Sequence, residues 1–189
     1  MRQGLNKNIV LQAAAELADQ EGFEKVTLAA VAKKLNIRTP SLYNHIEGFS
    51  GLKKDLALYA LHKLKNNMAE AAIGRSGEEA LYSIGISYVS FVRKHPGLYE
   101  AANASFDPLD PQLQEAGNEI VILLLRILES YKLDQEAALH IVRGLRSLVH
   151  GFASLELRKG FNLELNNDES LNCLLHTYLA GLKTTYDQS

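Results

Sequence analysis

The 189-residue sequence contains no tryptophan and only one cysteine, Cys173. A single cysteine excludes an intramolecular disulfide framework and a zinc site built from several cysteines, and it suits a reducing, cytoplasmic location. The longest unbroken apolar run, residues 120–125, is far shorter than a membrane span. The N-terminal residues also lack the long apolar stretch of a secretory signal, so we expect neither export nor a membrane partner.

Motifs for catalysis and metal binding are missing as well. The sequence has no G-x-S-x-G, phosphate-loop or dinucleotide-binding glycine pattern. Its six histidines form no His-x-x-x-His pair and no cluster with cysteine or carboxylates at metal-ligand spacing. We therefore expect no metal, no cofactor and no enzymatic activity. A helical enzyme, which is one rival class, would need a convergent set of acid, base or nucleophile.

Neither sign of charge dominates the whole chain, but the two signs are unevenly distributed. The net charge is −2, with 20 Lys and Arg against 22 Asp and Glu. Residues 1–66 carry ten basic and six acidic side chains, a net charge of +4, whereas residues 67–189 carry ten and sixteen, a net charge of −6. A basic N-terminal part on an acidic body is typical of a polyanion-binding module joined to another function.

The sequence predicts an all-α fold, because its long periodic segments repeat apolar residues at helical spacing and none alternates convincingly as a strand does. Gly22 and the Pro96-Gly97 pair are typical helix ends, and the stretch between Gly74 and Gly77 breaks the pattern, which marks a boundary. About nine helices are expected. They cover residues 8–22, 28–35, some seven residues from 39, a long helix from about 50, 78–94, 98–104, a helix from 111, 134–159 and 168–186.

Residues 27–46 have the length pattern of a helix-turn-helix, with about eight residues of helix, a turn at 36–38 and a second helix of about seven. Thr27 is the expected N-cap of the first helix and Thr39 that of the second, with Pro40 at its first position. Periodicity turns six apolar side chains inward: Leu28, Val31, Leu35, Ile37, Leu42 and Ile46. Polar side chains able to hydrogen-bond bases or phosphates remain outside: Arg38, Thr39, Ser41, Tyr43, Asn44 and His45.

The run from Val26 to Ile46, which includes Thr39-Pro-Ser-Leu-Tyr-Asn-His45, resembles the DNA-binding domain of the TetR family of bacterial repressors. Residues 146–161, with Val149-His-Gly151 in place of Trp-His-Gly, resemble a C-terminal domain found in some members of that family. The resemblance implies the nine-helix TetR-like fold. It places a DNA-binding domain at 1–48 and a ligand-binding and dimerisation domain at 49–189, connected by the helix from about 50.

The resemblance also assigns roles by position. It implies base-facing roles for Arg38, Thr39, Pro40, Ser41 and Asn44, phosphate contacts for Tyr43 and His45, and anchoring of the second helix to the DNA backbone by Thr27. Phe49 stands where a phosphate-binding lysine is common in the family, and Lys53 and Lys54, one turn later, are candidates to replace it. The alternative for this stretch is a small helical hairpin with a solvated face; the basic N-terminal part, the Thr-Pro start and Tyr43 favour DNA binding instead.

The last two predicted helices are so apolar that both of their faces must be buried. Small residues recur every seven positions at Ala137, Gly144 and Gly151, which lets another helix approach closely. One interpretation is that both helices complete the subunit's own core. The other, which the family resemblance favours, is a two-fold four-helix dimer interface. The interface residues expected on this basis are Leu145, Leu148, Phe152, Leu171, Leu175, Tyr178 and Leu182.

Candidates for a ligand pocket are Phe91, Tyr99, Asn103, Phe106, Arg143 and His150, each of which can equally be a core or rim residue. As a whole, the sequence predicts a homodimeric transcriptional regulator of the repressor type. It would bind double-stranded DNA at an inverted-repeat operator and be released by a small-molecule effector. The alternative function is a helical ligand-binding or scaffold dimer that no longer binds DNA.

Overall fold

The computed structural model describes residues 4–105 and 107–186, and every regular element in that part of the chain is a helix. The α-helices are α1 (Lys7–Glu21), α2 (Leu28–Lys34), α3 (Gly48–Ala72), α4 (Gly77–Lys94), α5 (Pro96–Ala104), α6 (Pro111–Leu128), α7 (Gln135–Leu157) and α8 (Asn167–Tyr186). Three 3₁₀ helices span Phe23–Lys25, Thr39–Asn44 and Glu129–Tyr131. The all-α class and each of the nine expected helices are confirmed. None of the described helices is both long and apolar enough to cross a membrane.

Side chains just ahead of the helices explain where several of them begin. Thr27 caps α2, as predicted, because its hydroxyl oxygen accepts a hydrogen bond from the Ala30 amide at 3.1 Å. Asp134 caps α7 in the same way by accepting from the Ala137 amide at 2.8 Å. At the end of α1, Gly22 has a φ of 96°, which a residue with a side chain rarely adopts.

The helix at 39–44 differs from the prediction in type and in start. It is a six-residue 3₁₀ helix whose N-cap is Arg38 rather than Thr39, and Pro40 therefore stands at its second position. The predicted N-cap role of Thr39 is wrong, and the Arg38 side chain makes no capping hydrogen bond. A physical reason lies in the length: six residues are fewer than two α-turns, and such short helices commonly tighten into 3₁₀ geometry.

The chain forms two compact units, neither of which is continuous in sequence. The first combines residues up to 63 with residues 94–117, and the second combines residues 64–93 with those from 118 onward. These units do not follow the sequence break at 74–77. The predicted division into 1–48 and 49–189 is a division by function, and it stays a prediction.

In the first unit, α1 and α5 pack at unusually short distance. A Cβ atom added to Gly97 would lie only 2.1 Å from the backbone carbonyl atoms of Ala18 and 2.6 Å from the amide nitrogen of Asp19. Only glycine permits this contact, because any larger residue would meet backbone that cannot move aside. The Pro96-Gly97 pair thus does more than end α4, which was its predicted role: it also brings α5 against the first helix.

In the second unit, α8 packs against α4 and α7 through two similar notches. Leu175 is fully buried, and one of its methyl groups would lie 2.6 Å from a Cβ atom at Gly85 on α4. The Tyr178 hydroxyl lies 2.5 Å from the corresponding position at Gly144 on α7, and it donates a hydrogen bond to the carbonyl of Ile141 at 2.8 Å. Two small residues therefore set the position of α8 within its own unit.

Candidate nucleic-acid interface

The 39–44 helix rests on an apolar base and turns its polar side chains outward. Leu42 is fully buried, and Val31 and Ile46 are buried beside it in sequence-predicted core positions. Tyr43 is 59% exposed, which is far above what a packed tyrosine of this size shows. Arg38, Pro40 and Asn44 are also exposed, and Thr39, Ser41 and His45 are half-buried. The structure thus places all seven residues at 38–45 that were expected to contact DNA at least partly at the surface.

The turn before this helix is built from local hydrogen bonds. The Ile37 amide donates to the Ala32 carbonyl at 3.0 Å, and Asn36 takes a left-handed φ of 54°, which asparagine tolerates better than most residues. Thr27, at the start of α2, is exposed and uses its hydroxyl oxygen as the N-cap, so its hydroxyl hydrogen remains a possible donor. The arrangement is a helix-turn-helix segment, residues 27–46, that offers mixed donors and acceptors at its surface.

Lys54 is engaged inside the first unit. Its ammonium lies 2.6 Å from a carboxylate oxygen of Asp110, the residue that precedes α6 and accepts hydrogen bonds from the Gln112 and Leu113 amides. The hydrogen bond from Lys54 is the main reason that the pKa of Asp110 is lowered. Asp110 therefore both caps α6 and forms an ion pair with Lys54. Of the two lysines proposed to replace the phosphate-binding lysine that is common in the family at position 49, Lys54 is thus the less available for contact with DNA.

Lys53 has a different environment. Its ammonium lies 4.6 Å from the ring centroid of Phe49 and 5.8 Å from that of Phe23. Both distances are within the range of cation–π attraction. Among residues 4–105 and 107–186, no carboxylate lies within 4.0 Å of this ammonium. Lys53 therefore keeps its charge available beside the helix-turn-helix segment.

Sequence reasoning missed a contact between α1 and the start of α5. Asp19 on α1 accepts a hydrogen bond from the Leu98 amide at 3.1 Å and lies 2.7 Å from Nδ1 of His95. It caps α5 from another helix, since the N-cap residue His95 makes no side-chain cap of its own. No local sequence signal announces such a cap, because donor and acceptor are 79 positions apart.

The ligand-pocket candidates have diverse surroundings. Phe91 and Tyr99 are buried, whereas Asn103 and Arg143 are exposed, and Phe106 lies outside the described residues. The Asn103 amide donates to the Tyr99 carbonyl at 2.8 Å, one turn earlier on α5. His150 is half-buried, its Nδ1 is 3.3 Å from the Tyr88 hydroxyl, and burial is the main reason that its pKa is lowered. Arg146 and Arg158 add to that shift.

The residues predicted to form a dimer interface lie mostly in the core of the single chain. Five of the seven are buried: Leu145, Phe152, Leu171, Leu175 and Leu182. Only Leu148 and Tyr178 keep some exposed surface, and Tyr178 is already bonded to α7. Buried side chains have little area to offer a second subunit, so the five are corrected to core residues. The chain itself therefore covers the part of the apolar stripe that these five residues form.

An ion-pair network closes the end of the second unit. The Arg93 guanidinium donates to both Glu156 oxygens, at 2.7 and 2.8 Å, and to Asp168 at 2.6 Å. It links the end of α4 to the end of α7 and the start of α8, and the hydrogen bond from Arg93 is the main reason that the pKa of Glu156 is lowered. Paired bonds of this kind fix geometry as well as charge, so we interpret the network as structural.

Comparison with known proteins matches both parts of the chain. Residues 10–46 match the model of the bacterial regulatory proteins of the tetR family. Residues 81–178 match the tetracyclin repressor-like C-terminal domain. A relative from Bacillus subtilis (strain 168), the uncharacterized HTH-type transcriptional regulator YobS, is 41% identical over 182 residues, which cover 96% of this chain and 94% of YobS.

Solved structures share the fold at low identity. A protein of unknown function from Rhodococcus sp. RHA1 gives a TM-score of 0.82 at 20% identity, covering 95% of this chain and 96% of that one. The Q116A variant of TetR from Acinetobacter baumannii AYE, solved in complex with minocycline, gives 0.73 at 20% identity, covering 96% and 98%. With matching family models at both ends and a 41% identical relative along nearly its whole length, the chain belongs to the TetR family of transcriptional regulators.

Proposed function

We propose that the protein is a homodimeric transcriptional repressor that binds an inverted-repeat operator in the cytoplasm and leaves it when a small molecule binds. The observation that carries the proposal is the 39–44 helix, whose Leu42 is fully buried while Tyr43 and Asn44 face solvent. A short helix so oriented fits the major groove, where amide and hydroxyl side chains distinguish base pairs. Occupation of the duplex by two such helices would exclude other proteins from it.

Two-fold pairing is proposed on the outer faces of α7 and α8. Leu155 on α7 and Leu174 on α8 are 51% and 38% exposed, and Cβ positions at Gly151 and Gly181 meet nothing within 4 Å. With Leu148 and Thr177, these residues recur at helical spacing along one side of each helix. An exposed side that combines leucines with glycines suits close helix contact, so we place the four-helix interface here rather than on the buried residues first expected.

Release by an effector is proposed because the dimer can bind its operator only when the 39–44 helices of the two subunits are separated by one particular distance. Two half-sites about one DNA turn apart, roughly 34–36 Å, fit only one separation of those helices. A ligand changes this separation only through its different affinity for the bound and the released states. The minocycline complex of the Acinetobacter baumannii protein shows that a chain of this fold holds a small molecule.

We expect an effector with apolar character. Thermal-shift measurements with a panel of metabolites test this expectation, and stabilisation only by highly polar anions would contradict it.

The central test is selection of binding sites from random double-stranded DNA. We expect enrichment of an inverted repeat, binding by one dimer per site, and repression of a reporter placed behind that site. Tyr43→Ala should weaken binding and serve as the matched negative, whereas Lys183→Glu, at an exposed position on the side of α8 away from the proposed dimer interface, should bind like the wild type and serve as the control. Selection without enrichment would instead favour a helical scaffold or ligand-binding dimer that no longer binds DNA.

A further inference from the structure

We propose that Lys53, held by the rings of Phe49 and Phe23, is the phosphate contact that this chain uses beside its 39–44 helix, and that Phe49 is its positioning residue. The inference rests on the proposed function and assigns a distinct role to each of two neighbouring lysines. Lys53 contacts the DNA backbone, whereas Lys54 holds α6 within the first unit and contributes no phosphate contact.

The location of Phe49 supports this assignment. It follows Gly48, the first residue of α3, and a Cβ atom at Gly48 would lie 4.0 Å from the Tyr43 ring. Phe49 is itself 40% exposed, so the surface of the 39–44 helix continues onto the first turn of α3. Lys53 stands four positions further along, which places it on the same side of the helix.

The two aromatic rings act on the ammonium without neutralising it. At 4.6 Å from Phe49 and 5.8 Å from Phe23, Lys53 is restrained by rings from two different elements. A ring face attracts the cation but accepts no full hydrogen bond, so the three N–H donors remain free for phosphate oxygens. The flexible side chain loses rotamer freedom before DNA arrives, which lowers the entropy that binding must remove.

Lys54 lacks this availability. Its ammonium is already 2.6 Å from Asp110, whose other contacts hold the first turn of α6. Moving Lys54 to a phosphate would break that pair and leave the carboxylate without its cation. The adjacent positions therefore provide a matched test, since both substitutions remove one positive charge from neighbouring residues of the same helix.

The experiment measures the salt dependence of binding to the selected operator for the full-length wild type, Lys53→Gln and Lys54→Gln. The slope of log Kobs against log salt is negative, and each lost phosphate contact reduces its magnitude by about 0.9. Because a dimer carries the substitution twice, Lys53→Gln should reduce the magnitude of the slope by about 1.8. Lys54→Gln should keep the wild-type slope. An unchanged slope for Lys53→Gln, or a loss confined to Lys54→Gln, overturns the assignment while leaving DNA binding itself intact. A wild type that binds no operator overturns the proposed function and the phosphate contact together.

The positioning role of Phe49 has its own readout, which needs no DNA. Ring currents should shift the Lys53 ε-methylene protons upfield in the free protein; Phe49→Leu should remove most of this shift and Phe49→Tyr should retain it. On the operator, Phe49→Leu should weaken affinity by about two- to five-fold per subunit with the salt slope kept, as expected for a lost cation–π contact. Phe49→Tyr should restore affinity. Equal behaviour of the leucine and tyrosine variants in either measurement overturns the role of the ring.

Discussion

The helix-turn-helix segment and the α7–α8 pair present two kinds of surface that the sequence predicts with different success. At 38–45, polar side chains mark the outer face, and the structure leaves them at the surface. On α8, the neighbouring residues Leu174 and Leu175 are both apolar, yet the first is 38% exposed and the second fully buried. A polar stripe identifies a surface directly, because burying it would be costly. An apolar stripe shows only that something covers it.

The largest expected effect separates these two leucines. Leu175→Ala should lower the free energy of unfolding by about 2–5 kcal/mol, because it empties the notch formed at Gly85 on α4. Urea denaturation of the purified protein measures the loss. Leu174→Ala is the matched control: within the subunit it should cost less than about 1 kcal/mol, as substitutions at partly exposed positions usually do, and any further loss through the proposed dimer interface should depend on protein concentration. Equal losses at every protein concentration would mean that Leu174 is packed within the subunit as tightly as Leu175.

The next effect tests the polar face. Asn44→Ala should relax the preference at one base position of the selected operator by about 1–3 kcal/mol, since an amide in the major groove reads a single base. Tyr43→Ala, in contrast, should weaken binding to all sequences by a similar factor, because it removes a hydroxyl contact to the DNA backbone. Fluorescence anisotropy with operators altered at one position measures both. If both variants bind like the wild type, the residues that recognise DNA lie elsewhere.

A smaller effect tests the apolar face that the chain leaves open. Leu174→Glu should raise the dimer dissociation constant at least about ten-fold, equivalent to roughly 1.4 kcal/mol, while the helical circular dichroism stays unchanged. Sedimentation velocity over a dilution series measures it. Lys183→Glu, also exposed but on the other side of α8, is the control and should leave the dimer intact. A dimer that tolerates the charge at 174 would place the interface on another surface.

The smallest effect concerns His150 on α7. Burial lowers the pKa of its imidazole below the ordinary 6.5, so the unfolded chain takes up a proton at higher pH than the folded one. The free energy of unfolding is therefore not reduced by His150 above about pH 6.5, and it declines as the pH falls below 6.5 toward the lowered pKa of the folded state. His150→Gln should flatten the dependence of the unfolding midpoint on pH in this window. A profile unchanged by His150→Gln would assign the decline to other groups.

The helix ends that the sequence predicted correctly depend on residues close to them in the chain. The Thr27 cap and the end of α1 at Gly22 both depend on residues within one turn of the helix end, and both are confirmed. The prediction that Thr39 is the N-cap was wrong by one position, since Arg38 precedes the helix. A helix of six residues is too short for the spacing of its apolar residues to define where it begins. The exact first residue of so short a helix depends on backbone torsion angles, which the residue types alone do not determine.

Long-range contacts were beyond the sequence for a different reason. The pairs of Asp110 with Lys54 and of Asp19 with His95 join residues separated by 56 and 76 positions. Nothing in either segment indicates its partner. The same holds for the contact of Lys53 with the Phe23 ring, 30 positions earlier, and for the interior location of Leu145 and Phe152.

The close packing of α5 against α1 at Gly97 has a consequence for engineering. A chimaera that joins residues 1–48 of this protein to the body of a relative would keep the close contact with Ala18 and Asp19 only if that body has glycine at the position of Gly97. Swapping of N-terminal modules between relatives should therefore succeed only when the receiving body provides that glycine or when residues 95–98 are transferred with the module.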